Sequence, residues 1–246
     1  MRFALVLVLV AATHWPSFAD ENLSATELAK GRALAAKREN EKAIEAFTAA
    51  IKADPTAAET YDVRGDAYLK LGKFKEAIAD FDKYLDAHPK QGPEHWRRGI
   101  ALYYAERYKD GVKQFETHKT VNPQDVENAV WHYLCNVKVV GKEKAAAELI
   151  DVTRDGRVPM AEIQKLFAGK LKPEDVMAAA EKVDAKTEAG KEARFYGHLY
   201  VGLWYEAEGD NKKVIEHLTP AVEKYEISHY MWDVAKVHLA VAKARK

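Results

Sequence analysis

The stretch HWRRGIALYYAERYKDG, His95 to Gly111, decides how this chain folds. Its apolar residues Trp96, Ile100, Tyr103, Tyr104 and Tyr108 recur at spacings of three and four, the signature of a helix. Gly99 sits in the middle, where glycine costs a helix about 1 kcal/mol relative to alanine. The reason lies outside the stretch. Gly65 stands 34 residues upstream of Gly99, and Gly31 another 34 before that. Phe47, Phe81 and Phe115 keep the same step, as do Pro55, Pro89 and Pro123. Ala43, Ala77 and Gly111 form a fourth series of small residues. Such a period marks stacked units, none of which buries its apolar face alone.

A 34-residue unit with these residues resembles the tetratricopeptide repeat, two antiparallel helices per unit. The resemblance implies an all-α solenoid. It also implies roles for the recurring residues. The glycines lie where the first helix of a unit, helix A, is closely approached by the second, helix B. The phenylalanines fill the space between helices. Each proline ends a helix B, because it lacks an N–H and restricts the residue before it.

The pattern divides the chain. Three units are expected over 20–123, at about 24–57, 58–91 and 92–125, with turns carrying Asn40, Gly72 and Arg107. Ser24 and Glu27 read as a capping box, so the first helix is expected to start near Ala25 after a mobile 20–25. Residues 124–186 read as a degenerate repeat, with Tyr133 in the glycine position, followed by irregular helices, one opened by Pro173. Residues 187–246 read as a late unit with Gly202 in mid-helix, and a capping helix.

Residues 1–19 have the layout of a secretory signal peptide: Arg2, an apolar run from Phe3 to Ala12, and small Ser17 and Ala19 before a cut at Asp20. The competing reading is a retained anchor, but the run is short for a membrane span. The expected location is periplasmic or secreted.

Lysine and arginine number 38, aspartate and glutamate 38. This balance carries no basic stripe for nucleic acid. Cys135 is the lone cysteine, so it forms no internal disulfide and reads as a small buried hydrophobe. No cysteine pair for zinc, HExxH, glycine-rich phosphate loop or GxSxG is present. No catalytic residue is assigned, and the expected function is non-enzymatic.

Within the family, RGIALYY (Arg98–Tyr104), WHYL (Trp131–Leu134), FAGKLKPEDVM (Phe167–Met177) and FYGHLYVGLWYEAEGD (Phe195–Asp210) resemble the NlpI-like envelope lipoproteins over about 58–240. That resemblance implies an adaptor for other envelope proteins. The chain departs from it in lacking a lipid-bearing cysteine after the cut.

The family's groove positions fall on Asp62 and Asp66 in the second unit, on Trp96, Ile100, Tyr103 and Tyr104 in the third, and on Tyr196 and Leu199 in the late unit. The resemblance therefore implies an apolar, aromatic partner surface with an acidic edge, on a scaffold that takes a protein or peptide partner. Two alternatives stand beside it: the same aromatics pack against residues 125–185, or the stack self-assembles into a homodimer or larger array. An enzyme using 125–185 is a more remote reading.

DVTRDGRVPMAE, Asp151 to Glu162, follows the spacing of a calcium-binding EF-hand loop through Asp151, Thr153, Asp155 and Glu162. Pro159 at the ninth position, and the lack of a second loop, argue for an ordinary turn. The expectation is no cofactor, with calcium as the alternative.

Overall fold

The computed structural model describes residues 17–245, so the signal-peptide reading lies almost wholly outside the described residues. These residues form thirteen α-helices and one 3₁₀ helix, and none of them is in a strand. The first three units are α1 (Phe18–Ala36) with α2 (Asn40–Ala53), α3 (Ala58–Lys70) with α4 (Phe74–Ala87), and α5 (Trp96–Tyr104) with α6 (Tyr108–His118). The 3₁₀ helix, Pro89–Glu94, precedes α5. Then come α7 (Val126–Val140), α8 (Lys142–Ala147), α9 (Met160–Phe167) and α10 (Pro173–Glu181). The late unit is α11 (Glu188–Glu208) with α12 (Asn211–Glu223), and α13 (Tyr230–Ala244) closes the chain.

The start of α1 differs from expectation. Ser17 and Asp20 form the capping box, and helix runs from Phe18. Ser24 is buried inside it. Helix α5 also ends sooner than the periodicity to Tyr108 suggests, at Tyr104, because the chain turns at Glu106, with φ +59°, before α6.

A Cβ placed on Gly99 would sit 2.6 Å from the ring of Phe115, and one on Gly65 would sit 2.8 Å from Phe81. Gly31 faces Phe47 in the same way, at closer range. Each phenylalanine is buried in the space the glycine leaves. Ala43 and Ala77 are fully buried, and at Gly111 the sulfur of Cys135 takes the space. Gly202 meets Leu218 in the late unit, the side chain 16 residues on, as Phe115 is from Gly99. Pro55, Pro89 and Pro123 are exposed in the connections after α2, α4 and α6.

Helices pack in sequence order, α1 on α2 through α6 on α7. Beyond α7 the order bends back. Helix α7 also touches α9 and α11, and α13 returns to α3. One apolar core of buried residues runs from Leu69 to Ala242, while Ala43, Phe47 and Ala67 make a smaller one at the first unit. No described helix is long and apolar enough to cross a membrane.

Candidate functional site

The inner face of the stack is where a partner would meet helix A of each unit. Much of it is already covered. Tyr230, at the first turn of α13, donates its hydroxyl hydrogen to Asp66 at 2.6 Å and meets Trp96 edge-on at 4.8 Å between centroids. Near the middle of α13, His238 is wholly buried and bonded to the Tyr104 hydroxyl at 2.9 Å. Tyr103 donates to Glu206 of α11, whose other partners are His238 and Arg245. Burial would raise the Glu206 carboxyl, but its bonds from His238 and Arg245 hold it well below the usual range.

The expected groove residues therefore divide. Ile100, Tyr103, Tyr196 and Leu199 are buried. Tyr104 is half-buried beneath Phe74, stacked at 4.6 Å, and α13. Trp131 of α7 also meets Tyr103 and Tyr104 edge-on, so the aromatics pack on α13 as well as on the 125–185 segment. The acidic edge is neutralised. Asp62 holds Arg97 at 2.8 Å and His95 at 2.9 Å, and Asp66 holds Lys70 at 2.8 Å and Arg97 at 3.2 Å. Burial would raise Asp62, yet the bonds from His95 and Arg97 keep it below its ordinary value.

One open part of the inner face is a cavity of about 620 Å³ beside Trp96, and a second, of about 700 Å³, lies beside Tyr103 and Tyr104. Trp96 and Ile100 of α5 and Phe115 and His118 of α6 form one side of the first. Asn128 and Trp131 of α7 also line it, with His229 and Met231 at the start of α13. The last wall is the 154–157 turn, with Asp125 and Glu127 at the start of α7. Asp125 builds that start, because its carboxylate accepts the Glu127 N–H at 3.0 Å as the helix N-cap.

One guanidinium organises this wall. Arg157 pairs with Asp155 at 2.6 Å, with Asp125 at 3.2 Å and with Glu127, and its plane lies over the ring of Tyr196. Glu127 also accepts from the Tyr200 hydroxyl at 2.7 Å. Burial would raise Asp155, but Arg157 holds it low by hydrogen bond and charge. Asp125 is raised, by burial first and by Glu127 second.

This wall contains the EF-hand-like segment, whose carboxylate Asp155 is engaged within the protein. Asp155 spends its oxygens on Arg157 and on the Val126 N–H. Gln124 accepts from the N–H groups of Thr153 and Arg154. Asp151 is exposed, and Glu162 lies in the first turn of α9. Among the described residues no three His, Cys, Asp or Glu side chains gather to hold a metal.

Sequence reading did not single out Asn128, Trp131, His118 or Arg157 as site residues. Their partners lie across units and carry no periodic mark. Cys135 is fully buried against Gly111, and burial drives its thiol far above the ordinary range, as suits a packing residue.

A family model described as tetratricopeptide repeat matches residues 28–92. The tetratricopeptide architecture extends well beyond it. The crystal structure of a tetratricopeptide repeat protein from Parabacteroides merdae ATCC 43184 superposes over 89% of this chain and 84% of its own, with a TM-score of 0.55 at 17% identity. At that identity the likeness concerns the fold. YrrB, described as a TPR protein with an unusual peptide-binding site, aligns over 88% of this chain and 90% of its own at 18% identity, with a TM-score of 0.45 too low to carry an argument. No curated protein matches the sequence.

Proposed function

We propose that this chain is a non-enzymatic tetratricopeptide scaffold that binds a protein partner through the open remainder of its inner face. The observation that carries this reading is the cavity beside Trp96, left where α13 stops covering helix A of the third unit. Tetratricopeptide folds generally serve protein–protein interaction, and a half-buried tryptophan at a cavity rim is the type of side chain that anchors a partner.

The setting we propose is the periplasm or the extracellular space. The basic start, apolar run and small residues before Asp20 support it. The likeness to NlpI-like envelope lipoproteins supports an adaptor role among envelope proteins, without lipid attachment. A cut before Asp20 falls in the first turn of α1 and removes Ser17, its cap. Protein recovered from the envelope should begin at Asp20. Recovery of an intact N-terminus in a membrane fraction would indicate a retained anchor. No cofactor is proposed, and millimolar calcium should leave the melting temperature unchanged.

The binding reading is tested with Trp96→Ala in the full chain. Partner affinity should fall about thirtyfold, as for loss of a hot-spot aromatic. The melting temperature should fall less than for the buried Trp131→Ala. If capture is unaffected while stability drops, Trp96 is only packing and the partner surface lies elsewhere.

A further inference from the structure

His118 gives the cavity beside Trp96 a polar atom that the protein leaves both unpartnered and open. The residue is 4% exposed, and the cavity is what it lines. Its Nδ1 lies 2.8 Å from the Pro93 carbonyl, and a carbonyl only accepts, so Nδ1 carries the proton. In the neutral ring Nε2 is then a bare acceptor. No described group donates to it, and it is not sealed off in the core as Asn128 Oδ1 and Trp131 Nε1 are. At the rim the arrangement is reversed. His229 Nδ1 accepts the Met231 N–H at 3.3 Å, which places the proton of its neutral ring on Nε2 and makes that atom a donor.

The rest of the lining is apolar or already satisfied. Trp96 is half-buried, Ile100 and Met231 lie on the same wall, and Val121 is 43% exposed. Every carboxylate oxygen of Asp125, Glu127 and Asp155 accepts a bond from Arg157, Tyr200, Asn122 or a backbone N–H. A cation therefore finds no free carboxylate among them. An anion would meet a lining of four carboxylates, with Glu94, against the guanidinium groups of Arg154 and Arg157. What the cavity lacks is a neutral donor carried on an apolar body. We infer that it takes a tyrosine side chain of a partner peptide, with the ring against Trp96 and its apolar neighbours, the phenolic O–H donated to His118 Nε2, and a peptide carbonyl on His229. Tyrosine joins a large apolar contact to a polar tip that finds a partner when buried. Serine or threonine would satisfy Nε2 and leave the apolar wall uncovered. Phenylalanine would cover the wall and strand Nε2 away from water, which is costly. A volume of about 620 Å³ holds the ring with the flanking backbone.

This inference rests on the binding reading of the same cavity. The test probes the full chain with an array of random peptides and keeps binders that Trp96→Ala weakens. Each tyrosine in them is replaced by phenylalanine, then by phosphotyrosine. The expected result is that these binders carry tyrosine and that one phenylalanine replacement weakens binding by about tenfold, the scale of a hydrogen bond whose buried acceptor is left unpaired. Phosphotyrosine at that position should bind more weakly still, since it brings negative charge to a lining rich in carboxylates. His118→Asn keeps a side-chain N–H for the Pro93 carbonyl and lacks Nε2. It should weaken the tyrosine peptide by a similar factor and leave the phenylalanine peptide unchanged, because the two changes remove one bond. If that variant fails to fold, the peptide series on the native chain decides alone. Equal binding of tyrosine and phenylalanine forms, tighter binding of phosphotyrosine, or binders without tyrosine overturns the inference while the scaffold reading stands. An array with no binder sensitive to Trp96→Ala overturns both.

Discussion

The hydroxyl of Tyr230 donates to the carboxylate of Asp66 over 2.6 Å, joining the first turn of α13 to helix A of the second unit, 164 residues away in the chain. That bond, with Trp96 edge-on against the same ring, fixes where the covered part of the inner face ends. Tyr230→Phe keeps the ring and removes the bond. Asp66 retains Lys70 and Arg97, so no carboxylate is stranded. The expected loss is about 1.5–3 kcal/mol in denaturant unfolding, the scale of a hydrogen bond to a charged group. A loss above that would mean that α13 detaches as a whole.

Gly99 tests the packing of the repeat. Leucine there places its first side-chain carbon within the volume of the Phe115 ring, which is 1% exposed and cannot move aside into solvent. Overpacking of this kind costs about 1–3 kcal/mol. Unfolding at an unchanged midpoint would refute the close approach of helix A and helix B. The paired variant Gly99→Leu with Phe115→Ala should recover part of the loss, since the two changes share one space.

The glycine and phenylalanine series were legible because each pair is local. Gly31 and Phe47, Gly65 and Phe81, and Gly99 and Phe115 are all 16 residues apart and repeat every 34. The role of α13 left no such trace. Its amphipathic face predicts a capping helix, but nothing periodic joins Tyr230 to Asp66 or His238 to Tyr104. The acidic edge was legible as residues and not as chemistry, because Arg97 and His95, which bind it, come from the next unit. The EF-hand spacing was legible too, yet Arg157 within the same stretch takes the carboxylate a calcium ion would require.

Turns between helix A and helix B show a related gap. Gly72 has φ +72°, and Arg38 and Glu106, one period before and after it, have φ +61° and +59°. Side chains at positive φ are uncommon, and the strain is removed by glycine. Arg38 compensates by pairing with Glu226 and stacking on Trp232. Glu106 is exposed, its side chain forms no hydrogen bond or ion pair that a glycine would forfeit, and the backbone bond of the turn to Tyr103 remains. Glu106→Gly should therefore stabilise by about 0.5–1 kcal/mol, and Arg38→Gly should not. Thermal melts of the two variants decide this. A destabilised Glu106→Gly would show that the turn depends on the glutamate itself.

The late unit should make stability depend on pH through His198. Its ring lies 5.4 Å from His217 and stacks on Tyr225 at 5.6 Å. Burial first, then the neighbouring His217 and Lys224, lowers its pKa to about 4 from an ordinary 6.5. His217 is lowered as well, again mainly by burial. Between these values the unfolded chain binds a proton that the folded chain refuses, so stability rises with pH there. Equivalently, the contribution is intact above about pH 6.5, is lost as pH falls toward about 4, and levels off once His198 protonates in the folded state. The measurement is the melting temperature from pH 7.5 to 4 for the native chain and for His198→Phe, which keeps an aromatic ring beside Tyr225 and cannot protonate. The variant should lose less stability across that window, with His217 supplying part of the remaining slope. Parallel curves for the two proteins would mean that His198 is protonated as readily in the fold as out of it, and that the late unit is open to water at this position.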